Sequence, residues 1–267
     1  MLEIIEYEFM RNAIFAGLLT SILCGILGAL VVVNRIVFLA GGIAHAAYGG
    51  IGLSLFFKLP ILPCTMGFSF LSSMLMASIS LKQKHRADTI IGVIWAVGMA
   101  FGVILIDLTP GYNVDLMSYL FGSILSVSTT NLLYMSIMSI VVTALIIFFY
   151  NDILAMSYDE EFAKISGVPV NILYFSLICM LTITIIMVIQ ITGLILVIAL
   201  LTIPPFIVEK HARSLAQMMI GSIILSALFT LTGLVCSYYF NLTSGASIIM
   251  VAGATFLITS IIQIIKK

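Results

Sequence analysis

A single histidine, His45, stands in the run LAGGIAHAAYGGIGL, residues 39–53, among glycines, alanines and apolar side chains. Imidazole exchanges a proton near neutral pH and is the commonest metal ligand. At bilayer depth such a group is costly unless it faces a cavity or a partner, so an intramembrane histidine marks an ion pathway by default. The alternative is a neutral ring hydrogen-bonded to a neighbouring carbonyl, and the residues leave both readings open. If the run is helical, Gly41, His45 and Gly49 share one face, while Gly42, Ala46 and Gly50 form a second ridge beside it. Small residues at that spacing let membrane helices approach closely, so Gly41, Gly42, Gly49 and Gly50 are expected at helix contacts.

Other residues with chemical potential are sparse. His85 and His211 lie in basic loops and read as solvated surface groups, and Asp107 and Asp115, bordering the opposite side, read as loop caps, with the lining of an ion entry as the alternative. Cys24, Cys64, Cys179 and Cys236 are scattered through apolar runs without metal-ligand spacing, which predicts buried small hydrophobes. The chain has no HExxH, GxSxG or DDxxD pattern, and no GxxxxGK[ST] phosphate loop, so energy from ATP would have to come through another chain. One histidine cannot supply the three or four ligands that divalent zinc prefers. Two copies of the chain would bring two.

Elements that would position His45 follow from composition. The chain has 267 residues, of which 62% are hydrophobic and only 8% charged, against about 25% charged in a soluble domain. That composition defines an integral membrane protein. Formal net charge is zero, with 11 basic and 11 acidic residues, which leaves no footprint for nucleic acid. Charge-free intervals fall at 12–34, 36–57, 59–81, 89–106, 116–151, 165–208 and 214–265. Since a helix needs about 20 apolar residues to cross, the last two intervals are long enough for two spans each. The runs lack the polar–apolar alternation of a membrane barrel. The expected fold is an all-α polytopic helical bundle with eight or nine transmembrane spans, a single domain over 1–267.

Along the chain, residues 2–9 suit a short amphipathic surface helix, and a first span follows over 12–33 with a ridge of Gly17, Ser21 and Gly25. The His45 segment occupies 38–57. If it dips in and returns there are eight spans, and the glycine-rich, interrupted look of transport segments favours that count. Lys58, Pro60 and Pro63 mark a turn before a span that runs to Leu81. The loop KQKHRAD, 82–88, is the most basic in the chain, with Asp88-Thr89 as the expected cap of the next span, which ends near Ile106. After the turn at 108–113, residues 115–127 are too few to cross and suit a half-helix or surface helix, and the next span covers 131–150.

Residues 151–169, NDILAMSYDEEFAKISGVP, form the sizeable hydrophilic connection of the middle chain. Asp159, Glu160 and Glu161 suit a helix amino terminus, Gly167 and Pro169 suit its end, and Phe162 and Ile165 share one side. Apolar residues on a charged loop invite a docking partner. Two spans are expected between Val170 and Val208, split near Gln190–Gly193, and the adjacent Pro204 and Pro205 are expected to break or unwind the second. Two last spans divide at 238–245. Alternating spans place 82–86, 151–169, 209–213 and the carboxyl terminus on one side, with Lys82, Lys84, Arg86, Lys164, Lys210, Arg213, Lys266 and Lys267. Basic loops face the cytoplasm.

These residues carry a resemblance. The blocks AGLLTSILCGILGALVVVNRIVFLAGGIAHAAYGGIGL (16–53), RADTIIGVIWAVGMAFGVIL (86–105), DLMSYLFGSILSVS (115–128), DEEFAKISGVPV (159–170), GLILVIALLTIPP (193–205) and LTSGASIIMVAGATFL (242–257) occur in an order and spacing similar to the permease subunits of zinc- and manganese-type metal-uptake ABC transporters. The resemblance covers about 9–265. It implies a homodimeric channel in the cell membrane of a bacterium or archaeon, cytoplasmic ATPase subunits that bind the ATP, and an external metal-binding protein that delivers the ion. No permanently bound cofactor is expected, only the transported divalent metal. Asp159 to Val168, with Ala163 at its centre, resembles the family's coupling helix, and His45 matches its intramembrane histidine.

Two positions depart from the family pattern. Gly41 stands where an aspartate is common, and Gly49 where proline is usual. Loss of a carboxylate from the face of His45 penalises oxygen-preferring Mn²⁺ more than Zn²⁺, which favours zinc as cargo. Two other readings compete: permeation of an organic metal chelate through a wider cavity, and a scaffold or intramembrane enzyme using His45 as a base.

Overall fold

The structure is a computed structural model that describes residues 7–83, 86–110, 122 and 124–265. Every regular element among them is helical, and eleven are α-helices: α1 Glu8–Val33, α2 Val37–Phe57, α3 Ile61–Lys82, α4 Ala87–Asp107, α5 Thr129–Phe148, α6 Tyr150–Tyr158, α7 Glu160–Ile165, α8 Val170–Thr192, α9 Leu194–Glu209, α10 Leu215–Phe240 and α11 Ser244–Ile265. A short 3-10 turn, Ile124–Ser126, precedes α5. Eight of these helices are long and apolar enough to cross a membrane, in agreement with the fold class expected from composition.

The count is reached by a different route from the one expected. The His45 segment does not dip and return: α2 is an unbroken helix of 21 residues, about 32 Å at 1.5 Å per residue and enough for a core of about 30 Å. Its glycines do not interrupt it, because neighbouring helices pack into the space they leave. The short apolar element is instead α9, with 16 residues, about 24 Å long. Helix α4 begins at Ala87, with Arg86 as its N-cap and no side-chain cap bond, so Asp88 sits inside the first turn rather than capping it. The surface helix expected at 2–9 falls mainly on residues outside those described, and helix is present from Glu8. Most of the 115–127 segment, Asp115 included, also lies outside them.

The chain divides into two compact units, interleaved along the sequence. The first comprises α1, the 3-10 turn, α5, the last turn of α8, and α9–α11. Its centre is α1, and the ridge read from sequence is the seam: Gly17 abuts Thr230 of α10, Gly25 abuts the backbone of Ile223, and Ser21 Oγ lies 3.4 Å from Thr230 Oγ1. Glycine brings the two backbones together, and the facing hydroxyls are satisfied without water because Ser21 donates to the Gly17 carbonyl and Thr230 to the Ser226 carbonyl, each within its own helix.

Helix α9 of this unit corrects an expectation about Pro204 and Pro205. Both lie inside the helix, which continues to Glu209. Each proline removes an N–H, and Pro205 leaves the carbonyl of Leu201 without its helical donor. That carbonyl faces Gly28 of α1, where an added Cβ would come within 2.6 Å of the oxygen and 3.0 Å of the Pro205 ring. Glycine at 28 leaves room for that carbonyl against α1, and the helix persists through both prolines. The break comes earlier, at Gly193, as expected for the 190–193 region: its φ of 82° ends α8 and opens α9.

The second unit holds α2–α4, α6, α7 and α8 up to Met187. Helix α2 is its most enclosed element. It runs antiparallel to α3, with Gly42 against Met76 and Gly50 against Thr65, and parallel to α4, with Ala46 against Gly98 and Gly52 against Gly102.

Candidate functional site

Three of the four glycines expected at helix contacts make them. A Cβ at Gly42 would lie 2.7 Å from Ile91 and 3.2 Å from Met76 Sδ, Gly49 is covered by the Phe68 ring, and Gly50 meets the Thr65 backbone. Gly41 corrects the expectation: a Cβ there would meet nothing within 4 Å. The reason is angular. Gly41 and His45 lie one turn apart on a side of α2 that stays partly open, while residues 42–44 and 46–52 are buried.

On that open side the His45 imidazole stacks on Trp95 of α4, with ring centroids 4.3 Å apart and planes within 6°. Trp95 also meets Phe38, two turns before His45, at 5.6 Å and 47°. His45 Nδ1 is buried and has no hydrogen-bond partner. The alternative of an imidazole satisfied through that nitrogen by a nearby carbonyl is therefore not what the structure contains. A buried polar atom without a partner costs about 1–3 kcal/mol, which a cation would relieve by taking the nitrogen's lone pair.

His45 belongs to no chelating cluster among the described residues. No group of three or more His, Cys, Asp or Glu that could hold a metal occurs among the described residues. His211 is exposed, with Nδ1 3.3 Å from the carbonyl of Ile207 one turn back. Asp107 ends α4 in an exposed position, and His85 lies outside the described residues. Of the cysteines only Cys24 is buried; Cys64, Cys179 and Cys236 are half-buried, free thiols on helices that present part of their surface outward.

The second expected site, 159–168, is a formed helix with both ends capped. Asp159 accepts a hydrogen bond from the Phe162 amide at 2.9 Å, and Lys164 donates to Glu160 at 2.6 Å. At the far end Gly167 takes φ 85°, Val168 N–H donates to Ala163 and Gly167 N–H to Lys164, the paired bonds of a Schellman cap. Ala163 is buried, whereas Phe162 and Ile165 are 61% and 86% exposed. Glu161 is exposed beside them. Six helical residues that cap themselves hold two apolar side chains outward, and α6 immediately before them was not foreseen as a separate helix.

Trp95 is the functional candidate that sequence reading passed over. Its signal was present: it is the chain's single tryptophan, and it sits inside a span rather than at an end, where membrane tryptophans concentrate.

A multi-span helical protein with a lone imidazole on the open side of a buried helix and a capped, apolar-tipped loop helix has the parts of a transporter's membrane subunit. The chain belongs to the ABC 3 transport family, which it matches over residues 6–263. It is a permease subunit, and ATP hydrolysis in this family belongs to a separate ATPase. An uncharacterized membrane protein of Synechocystis is 46% identical over 259 residues, covering 97% of this chain and 92% of that protein. The manganese transport system membrane protein MntC of Listeria monocytogenes is 28% identical over 255 residues, covering 96% and 91%. In the solved structure of PsaBC from Streptococcus pneumoniae in complex with Fab, a chain 29% identical superposes with a TM-score of 0.86, covering 97% of this chain and 93% of that one.

Proposed function

We propose that this chain is the channel-forming permease of an ATP-driven importer of divalent transition metal ions, and that His45 lines the path. The observation that carries the reading is the buried, unpartnered Nδ1 of His45 on the partly open side of α2, one helical turn from Gly41, whose Cβ position is vacant. Family membership and the metal named in the Listeria relative support the class of cargo. A single imidazole is a weak site, so two copies of the chain lining one path would bring two ligands, and water retained by the ion would complete the shell. Weak, incomplete ligation suits a transit site, where an ion held tightly would not leave.

Zinc is the favoured cargo over manganese, because imidazole without a nearby carboxylate suits the softer ion. An external binding protein delivers the ion, and helix α7 transmits ATP-driven motion of the ATPase through Phe162 and Ile165. Pro204 and Pro205, each of which removes one backbone hydrogen bond from α9, serve in gating. The protein works in the cell membrane of a bacterium or archaeon. His45→Ala in the reconstituted transporter is expected to abolish or reorder uptake of Zn²⁺ and Mn²⁺ while the ATPase still co-purifies. Uptake with wild-type rate and selectivity would remove His45 from the path.

A further inference from the structure

We propose that Trp95 is a positioning residue for the ion step at His45, its indole forming a wall that holds the imidazole edge toward the passing cation. The inference rests on the reading of His45 as a path residue and adds a second helix, α4, to that path.

The geometry is specific. A stack with planes within 6° and centroids 4.3 Å apart covers one π face of the imidazole and leaves its in-plane nitrogens uncovered by the indole. Metal ligation uses those in-plane lone pairs, so the stack fixes the ring without competing for the ligand position. Near-parallel planes at this centroid distance are an offset stack, one of the arrangements aromatic rings prefer. The pair therefore fixes the plane of the imidazole. Phe38, also against Trp95, limits the indole's own freedom.

The indole also responds to charge. Tryptophan has the most favourable face for a cation, and an imidazole that binds a divalent ion becomes electron-poor. The contact thus strengthens when an ion is present and relaxes when it leaves, which aids binding in transit without adding a ligand that would trap the ion. Gly98, one turn beyond Trp95 on α4, faces Ala46 beside His45, where an added Cβ would lie 3.4 Å from the Ala46 Cα, so α4 runs alongside α2 at the height of the stack.

Because Trp95 is the only tryptophan of the chain, tryptophan emission reports its surroundings, and the His45→Ala comparison isolates the contact with His45. The full-length permease in detergent micelles, titrated with Zn²⁺ and separately with Mn²⁺, is expected to show a saturable change in tryptophan emission that His45→Ala removes. In the reconstituted transporter, Trp95→Leu, which fills volume without a π face, should raise the KM for ion uptake roughly tenfold, the scale of a desolvated cation–π contact. Trp95→Phe should recover most of that loss. Should Trp95→Leu transport with wild-type KM, or emission stay flat through both titrations while His45→Ala still abolishes uptake, the role of Trp95 is overturned and that of His45 stands. Wild-type uptake by His45→Ala overturns both. If Trp95→Leu fails to assemble, the Phe variant and the emission titration decide.

Discussion

Substituting Gly41→Asp tests the site most directly, because the structure shows both where the new group goes and that there is room for it. The position is sterically free, with nothing within 4 Å of a built Cβ, so the side chain enters without repacking. It lies four residues before His45, which puts the two Cβ atoms about 5–6 Å apart on one helix face, near enough to share an ion. At about 4 Å and an effective dielectric of about 20, a carboxylate attracts each unit of cation charge by about 4 kcal/mol. Against this stand about 3 kcal/mol for placing a carboxylate in a span and the partial dehydration of the ion. A net gain of about 1.5–3 kcal/mol corresponds to roughly tenfold to hundredfold tighter ion binding, and the added oxygen favours Mn²⁺ over Zn²⁺. The assay is competitive uptake of the two ions into proteoliposomes carrying the permease with its ATPase. Gly41→Ala should leave the ratio unchanged. Gly42→Asp, whose Cβ would lie 2.7 Å from Ile91 Cγ2, should fail to assemble. An assembled Gly41→Asp transporter with the wild-type Mn²⁺ to Zn²⁺ ratio would refute the placement of the ion beside His45.

Other consequences concern coupling and stability. Truncating Phe162, 61% exposed on α7, to Ala removes an apolar anchor; a loss of about 2 kcal/mol at such a position should weaken ATPase association roughly thirtyfold, read by co-purification and by ATP-driven uptake. Charge reversal at Asp159 and Glu160 added to Phe162→Ala should separate ATP hydrolysis from transport, and intact coupling in that variant would count against α7 as the docking element. Gly28→Ala should destabilise the first unit by about 1–3 kcal/mol, since the new methyl would press on the Leu201 carbonyl that Pro205 leaves free; thermal unfolding in detergent reads this, and an unchanged midpoint would show that α9 does not rely on the contact.

Much of this protein was legible before its structure. Scarcity of charge fixed the membrane class, and the lengths of the apolar runs fixed the helices to within a few residues, because a hydrocarbon slab imposes one length on whatever crosses it. The ridge Gly17–Ser21–Gly25 named its own seam, and the acidic start and Gly167 end of 160–165 named a capped helix, since caps depend on local backbone chemistry. His45 declared itself because a titratable group in a greasy run has few cheap explanations.

What remained hidden was which partner each face met. Periodicity places Gly41 and Gly42 on adjoining ridges and treats them alike, yet one is packed against Ile91 and Met76 and the other opens beside His45; only the docking of α3 and α4 against α2 separates them. Two prolines read locally as a break, and a single glycine on α1, distant in sequence, lets the helix run through them. Trp95 and His45 are fifty residues apart in the chain and 4.3 Å apart in space. Burial, capping and span length follow from nearest neighbours and solvent, which a sequence carries within itself, whereas a contact between helices depends on how both are rotated, and only the packed structure sets that rotation.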